Sequence, residues 1–342
     1  MVIFKMKILV ITDLYPIKED EKYTPHTIET FVKNWQKMGH EVKVIKPNFL
    51  LNSFLRKKPY YPNGIYGDVE NINFVFPFWS KVKTSFTPDI VIAHMPSGIL
   101  YADKLGLPFC AAVHASDLEV LTKSLYKFHF KPRLEKAYRN AIKIACRSEV
   151  LKNKFLKLYP EFEEKTFVAP SGINGAIKRE WSNNEKVKVL TCGQFIKRKH
   201  IDDVILACKD FNTIELTVIG SGKEKLPPYA NFTGQLPHSK VLEKMRDSDI
   251  FILPSENETF GMVYLEAMAS GCITVCRKND GIDGIIKDGV NGFVCTDVKE
   301  VLNRILSTPN KNKILENAYN TVSELTEEKT AKNYLSNIIN KN

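Results

Sequence analysis

No apolar run in this 342-residue chain approaches the ~20 residues of a membrane-spanning helix, so no span is expected. The Cys-x-x-Cys spacing of zinc and redox sites is missing too. Cys110, Cys146, Cys192, Cys208, Cys272, Cys276 and Cys295 are odd in number and sit mostly in apolar runs, which reads as buried, reduced thiols. Low-complexity tracts and short repeats are absent, and 44% hydrophobic with 26% charged residues excludes disorder, collagen and coiled coil. The opening stretch is interrupted by Lys5 and Lys7, whereas a signal peptide needs ~7–15 unbroken apolar residues. A cytoplasmic protein is therefore expected. Acid is scarce in one half only. Residues 1–170 carry 26 Lys/Arg against 17 Asp/Glu, and the rest 23 against 22, so nearly all of the +10 net charge lies in the first half.

What is present is alternation. Short β-branched runs such as Lys7–Thr12, Glu41–Lys46, Ile72–Phe76, Asp89–Ala93, Phe109–Val113 and Ile142–Cys146 alternate with helical patterns such as Thr27–Met38. The pattern restarts at Lys186–Cys192 and continues through Ile214–Ile219, Lys240–Arg246, Asp249–Leu253, Phe260–Ala269 and Ile273–Cys276. Apolar strands joined by helices imply parallel sheets covered on both faces. The expected fold class is α/β, with two facing Rossmann-like domains and a ligand cleft between them. Residues 1–172 form the first domain, joined by a C-terminal helix at 326–342, and residues 173–325 form the second.

Chemistry concentrates in Asp249–Gly271, where an apolar strand runs through Pro254-Ser255 into a polar loop and then a helix opening near Thr259–Gly261. The free N–H groups and positive dipole of a helix start suit a diphosphate. Glu258 and Glu266 bracket it; were both helical, eight residues at ~1.5 Å would separate them by ~12 Å, too far for a glycosidase-like acid/base pair. They read as separate polar contacts to a long ligand, or else as a dipole-complementing charge and a solvated helix residue. Asp247-Ser-Asp249 fits a metal-binding Asp-x-Asp pattern, but its place between helix and strand favours capping. No metal is expected.

The run Pro254-Ser-Glu-Asn-Glu-Thr-Phe-Gly-Met-Val-Tyr-Leu-Glu-Ala-Met-Ala-Ser-Gly resembles the Glu-x7-Glu signature of the retaining, GT-B-fold nucleotide-sugar glycosyltransferases of family 4. The resemblance implies that Glu258 lies against the donor sugar and departing phosphate, and that Glu266 holds the ribose. Phe260, Gly261 and Met262 would offer backbone N–H groups to the diphosphate or sugar, and Thr259 is a further donor-binding candidate. Leu190–Lys199 is similar to the family's phosphate loop, with Gly193 in place and Lys199 at the Lys position. Gln194 replaces the usual Arg, for which Lys197 or Arg198 would compensate, and His200 replaces the Gly that follows. Gly220 and Ser221 fall in the second-strand loop near the nucleotide. His114 matches the strand-end histidine that would contact the sugar or its acceptor, and His94 stands in a similar place; the bland alternative for each is a structural histidine. The family's first loop carries a Gly-Gly pair, but Tyr15–Thr27 has no glycine, leaving Thr24, His26 and Thr27 as acceptor-side candidates.

The implied reaction is transfer of a hexose from a UDP-sugar or GDP-sugar to a hydroxyl acceptor, with retention and without a metal cofactor. The acceptor expected is a glycan, a lipid-linked or surface-glycan precursor. Lys123, Lys127, Lys131 and Arg133, interleaved with Leu125, Tyr126, Phe128 and Phe130, suit an anionic membrane surface, with a solvated helix face as the alternative. No nucleic-acid motif accompanies them. A peripheral position on the inner membrane face is expected. The glycine-free loop and Gln194 keep open a second reading, a catalytically diverged partner subunit of a glycosylation complex.

Overall fold

A computed structural model describes residues 5–18, 26–49, 60–74, 82–222 and 227–340; Thr24 and the Arg56-Lys57-Lys58 cluster lie outside the described residues. The chain divides into two compact units. One comprises Met1–Arg147, Leu151–Ala169 and Thr330–Asn342; the other Ser148–Val150 and Pro170–Lys329.

The first unit holds β1 (Lys7–Ile11), α1 (Thr27–Lys37), β2 (Glu41–Phe49), β3 (Gly64–Tyr66), β4 (Val69–Phe74), β5 (Ile90–His94), α2 (Met95–Leu105), β6 (Phe109–Val113), α3 (Ala115–Thr122), α4 (Phe130–Asn140), β7 (Lys143–Cys146), most of α5 (Glu149–Leu158) and β8 (Thr166–Val168). Its sheet runs β3-β4-β2-β1-β5-β6-β7-β8, parallel except for the β3–β4 pair. The described part of the expected strand Ile72–Phe76 is the end of β4, which begins earlier, at Val69.

β1 shows why its sequence is apolar throughout. Leu9 and Ile11 enter one core with Tyr101, Phe109 and Tyr138, while Ile8 and Val10 enter another with Phe31 and Trp35. Successive strand residues point to opposite faces, so a sheet covered on both needs no polar positions. The indole of Trp35 is fully buried and donates to Ala331 O at 2.9 Å, and Tyr334 packs edge-on against Phe31 and Trp35. Burying such rings contributes roughly 1.5–3 kcal/mol each.

The second unit contains β9 (Val187–Gln194), α6 (Ile201–Cys208), β10 (Ile214–Ser221), β11 (Ala230–Gly234), α7 (His238–Arg246), β12 (Ile250–Ile252), α8 (Met262–Ala269), β13 (Ile273–Arg277), β14 (Phe293–Cys295), α9 (Val298–Ser307) and α10 (Lys311–Glu324). A last helix, α11 (Glu327–Ile339), starts in this unit and contributes its residues from Thr330 onward to the first. The sheet is wholly parallel, in the order β11-β10-β9-β12-β13-β14. β9 therefore has β10 on one side and β12 on the other. That is a topological switch point, where the loops leaving neighbouring strands diverge and ligands bind. In the first unit β1 takes the same place, between β2 and β5.

Candidate active site

At the second unit's switch point two loops meet, Phe195–His200 after β9 and Leu253–Gly261 after β12. Lys199 Nζ and Arg198 Nη1, the latter at 3.0 Å, both donate to Glu258 Oε1. Ser255 Oγ adds a third donor at 2.7 Å. Burial alone would raise the pKa of Glu258, but Lys199, Ser255 and Arg198 outweigh it and hold the carboxyl below its ordinary range. The Lys199 and Glu258 side chains are each 16% exposed, so this pair is screened less than a surface pair. Of the two cations offered in place of an arginine at Gln194, Arg198 reaches the cluster; Lys197 and Gln194 are exposed.

Two glycines make the close approaches possible. Gly193 and Gly220 are register partners on β9 and β10, and a Cβ on Gly220 would stand 1.9 Å from Gly193 O. Ser221 is paired with Gln194 in the same register. Gly261 caps α8 with φ +91, and a Cβ there would lie 2.5 Å from the Tyr264 ring.

The helix begins at Met262, so Glu258 belongs to the preceding loop. The ~12 Å spacing for two helical residues therefore does not apply; the chain turns before the helix starts. Glu266, on α8, accepts from His238 Nε2 of α7 at 3.0 Å, a bond that raises the His238 pKa above its ordinary value. The two carboxylates thus answer to different partners. Phe260 is buried as a whole residue, 4% exposed.

Asp280 was not singled out from the sequence. It accepts from the amides of Asn257 at 2.7 Å and Glu258 at 2.8 Å, pinning the loop that presents Glu258. Its signal was the Asp280–Gly284 run, but a hydrogen bond across 22 residues is not readable from spacing. Tyr264 OH likewise ties α8 to Leu253 O at 2.7 Å.

The Asp247-Ser-Asp249 run divides: Asp247 is the C-cap position of α7, whereas the Asp249 side chain, 1% exposed, serves the sheet. It accepts from Arg179 Nη2 at 2.8 Å, the Lys188 amide at 2.9 Å and Ser182 Oγ, lashing the segment before β9 to the sheet. Buried charge persists only when paired in this way. Among the described residues no three His, Cys, Asp or Glu side chains are grouped to hold a metal ion.

In the first unit, β5 ends at His94 and β6 is followed by His114, and adjacent strands bring the rings together. His94 Nδ1 and His114 Nε2 are 3.2 Å apart. Burial and then the Arg147 guanidinium lower the His114 pKa to about 3; burial, His114 and Arg147 push His94 well below its ordinary value. Both rings are neutral at pH 7. Arg147 is itself buried and lies over the Phe31 ring at 4.7 Å. The His114 amide donates to Asp117 Oδ2 at 2.9 Å, and burial raises the Asp117 pKa to about 7. Met95, next to His94, has φ +67, a strained conformation for a bulky side chain.

The remaining candidates stand apart. His26 precedes α1 and is bonded to Glu29, and Thr27 opens that helix. Lys123 pairs with Glu119 and Lys131 with Glu135, while Lys127 lies over the Phe128 ring at 5.8 Å. Arg133 is exposed on α4. The interleaved apolar residues divide: Leu121 is buried at 1%, but Leu125 and Phe128 are 81% and 80% exposed. No described helix is long and apolar enough to cross a membrane.

The chain is similar to known proteins along most of its length. Residues 26–176 match the model of Glycosyltransferase Family 4, and residues 175–321 match Glycosyl transferases group 1. An uncharacterized glycosyltransferase of Methanocaldococcus jannaschii is 27% identical over 233 residues, 64% of each chain, so the match spans just under two thirds of that relative. A GDP-mannose-dependent alpha-mannosyltransferase of Mycolicibacterium smegmatis is 29% identical over 144 residues, 38% of each chain. The Anabaena protein HepE, solved in complex with UDP, superposes with a TM-score of 0.70 at 15% identity, covering 97% of this chain and 99% of its own. With the two family models together spanning residues 26–321 and the fold shared with solved GT-B enzymes, the chain belongs to the group 1 / family 4 glycosyltransferases.

Proposed function

We propose that this protein transfers a hexose from a nucleoside diphosphate sugar to a hydroxyl acceptor with retention of anomeric configuration. The convergence of Lys199, Arg198 and Glu258 at the switch point, beside the start of α8, carries this reading. Two cations and a helix N-terminus suit a diphosphate, and the charge that grows on it as the sugar leaves is stabilised most by donors already in place. The diphosphate displaces Lys199 and Arg198 from Glu258, whose carboxylate then faces the sugar. The C1–O bond to phosphate breaks, the acceptor oxygen bonds C1 on the same face, and the acceptor proton passes to the departing phosphate. Lys199, Arg198 and the α8 amides meet the negative charge, so no metal is required. UDP- and GDP-sugars are both candidate donors, in keeping with the nucleotides named for the relatives.

The second unit takes the donor and Glu266 the ribose. The first unit takes the acceptor, with neutral His114 hydrogen-bonding a sugar hydroxyl. The exposed Leu125 and Phe128 among Lys123, Lys127, Lys131 and Arg133 support an anionic membrane surface and a lipid-linked acceptor on the cytoplasmic side. Transfer assays with UDP- and GDP-sugars and a lipid extract test this. Glu258→Ala is expected to abolish transfer with the unfolding midpoint unchanged, and wild-type-like turnover in that variant would remove the assignment. Nucleotide binding without turnover in any mixture would favour the partner-subunit reading instead.

A further inference from the structure

The resemblance implies a glycine at the position of His200, and the His200 backbone has the positive φ that glycine favours, +53. Histidine tolerates that region better than most residues but gains nothing from it by itself. The side chain supplies the reason. Its Nδ1 is hydrogen-bonded to Asp203 Oδ2 at 2.9 Å in the first turn of α6, and its Nε2 faces Glu256 Oε1 in the loop after β12 at 3.2 Å, a close approach without hydrogen-bond geometry. Glu256 Oε1 is also held by Arg277 Nη2 at 2.7 Å, and the Glu256 amide donates to Arg198 O at 2.7 Å. The ring is 21% exposed and bridges the two loops whose tips meet at Lys199, Arg198 and Glu258.

We infer that His200 is a positioning residue, a side-chain strut between the first turn of α6 and the loop after β12. It holds Arg198 and Lys199 at the depth the diphosphate needs, acting through Glu256. This inference rests on the donor-site reading above. It predicts a defect confined to the diphosphate, because the strut acts on Arg198 and Lys199, the side chains offered to the phosphates.

Titration calorimetry with UDP, GDP, UMP and GMP on the full chain tests it. Glycine suits the backbone of this position, so His200→Gly folds; His200→Asn, also tolerant of positive φ, is the second variant. Each is expected to weaken diphosphate binding by about tenfold, the scale of a small misplacement of a binding group, while monophosphate binding stays within about twofold. In a double-mutant cycle with Glu256→Gln, the two losses should fail to add. Unchanged diphosphate affinity, equal losses for mono- and diphosphate, or full additivity with Glu256→Gln would each overturn the strut. A wild-type protein that binds neither UDP nor GDP would overturn the donor-site reading on which it rests.

Discussion

At the switch point of the second unit the polar groups are charged and cross-linked: Lys199 and Arg198 on Glu258, Arg277 on Glu256, and Asp280 under two loop amides. At the corresponding edge of the first unit, His94 and His114 are held neutral, and Asp117 stays protonated up to about pH 7. Both sheets are covered on both faces, so architecture is not the difference. The second unit has cations and carboxylates within hydrogen-bond reach of one another at partly open loops. The first sinks single ionisable groups beneath strand ends, where burial favours the uncharged form. The two kinds of edge suit different ligands. Phosphates need fixed positive charge, whereas sugar hydroxyls need neutral donors and acceptors that do not demand water.

The comparison breaks first at the cations. Removing both, in Arg198→Ala with Lys199→Ala, should reduce transfer by about a hundredfold or more, since in the proposed reaction they face charge that develops in the transition state. His114→Ala should cost about tenfold, the worth of one neutral hydrogen bond. Measured kcat/KM values that reverse this order would refute the division of labour.

Next in size is a packing test. Gly220→Ala would drive a Cβ into Gly193 O and force β9 from β10. A loss of roughly 1–3 kcal/mol is expected, read as faster hydrogen exchange across the β9–β10 ladder. Unaltered exchange there would mean that the strands accommodate the methyl.

A smaller effect sharpens the neutral side. The Asp117 carboxyl titrates at about 7 in the folded protein against 3.8 ordinarily. The folded state therefore binds the proton more tightly, and the stability this contributes is complete below about pH 4 and is lost as the pH rises through about 7. The slope cannot exceed about 1.4 kcal/mol per pH unit. Asp117→Asn should flatten it in denaturant titrations between pH 4 and 7, and an unchanged slope would place the titration elsewhere.

The smallest effect is at the surface. Neutralising Lys123, Lys127 and Lys131 should weaken binding to anionic liposomes by roughly 1 kcal/mol per lysine or less. Lys123 should matter least, because Glu119 already pairs with it. Leu125→Ser with Phe128→Ser should weaken binding even at high salt, where the lysines no longer contribute. Equal binding of all variants would leave this segment a solvated turn.

Much of the fold was readable along the chain. Lys7–Thr12 is a near-continuous apolar run because its strand is buried on both sides, and it is β1; Lys186–Cys192, with Val187, Val189 and Leu190 among polar residues, is the start of β9. Glu258 was readable as a polar contact beside a helix start, whereas Lys199 was picked out only through resemblance to a known motif. What was hidden is whatever depends on two distant segments meeting. The Asp-x-Asp run read as capping because only its immediate neighbours were visible, and Asp247 is a C-cap; the Asp249 partner Arg179 is 70 residues away. The His94–His114 contact crosses from one strand to the next, and the Asp280 anchor crosses between two loops. Spacing along one chain says nothing of such contacts, since sheet order decides them.

The +10 charge shows the same limit at larger scale. The sequence alone established how much basic charge there is and that the first half carries it, since counting needs no coordinates. It also determined, through alternating hydrophobic periods, that two doubly covered sheets would form. Only the tertiary structure decided what each cation does. Lys123 and Lys131 are taken up by neighbouring acids, Arg147 is buried against an aromatic ring, and Leu125 and Phe128 are left exposed among the rest. Hydrophobic pattern acts locally, through the side-chain period of each element. The energy of a charge depends on what lies within a few ångströms of it in space, and that is settled only when the strands have found their order.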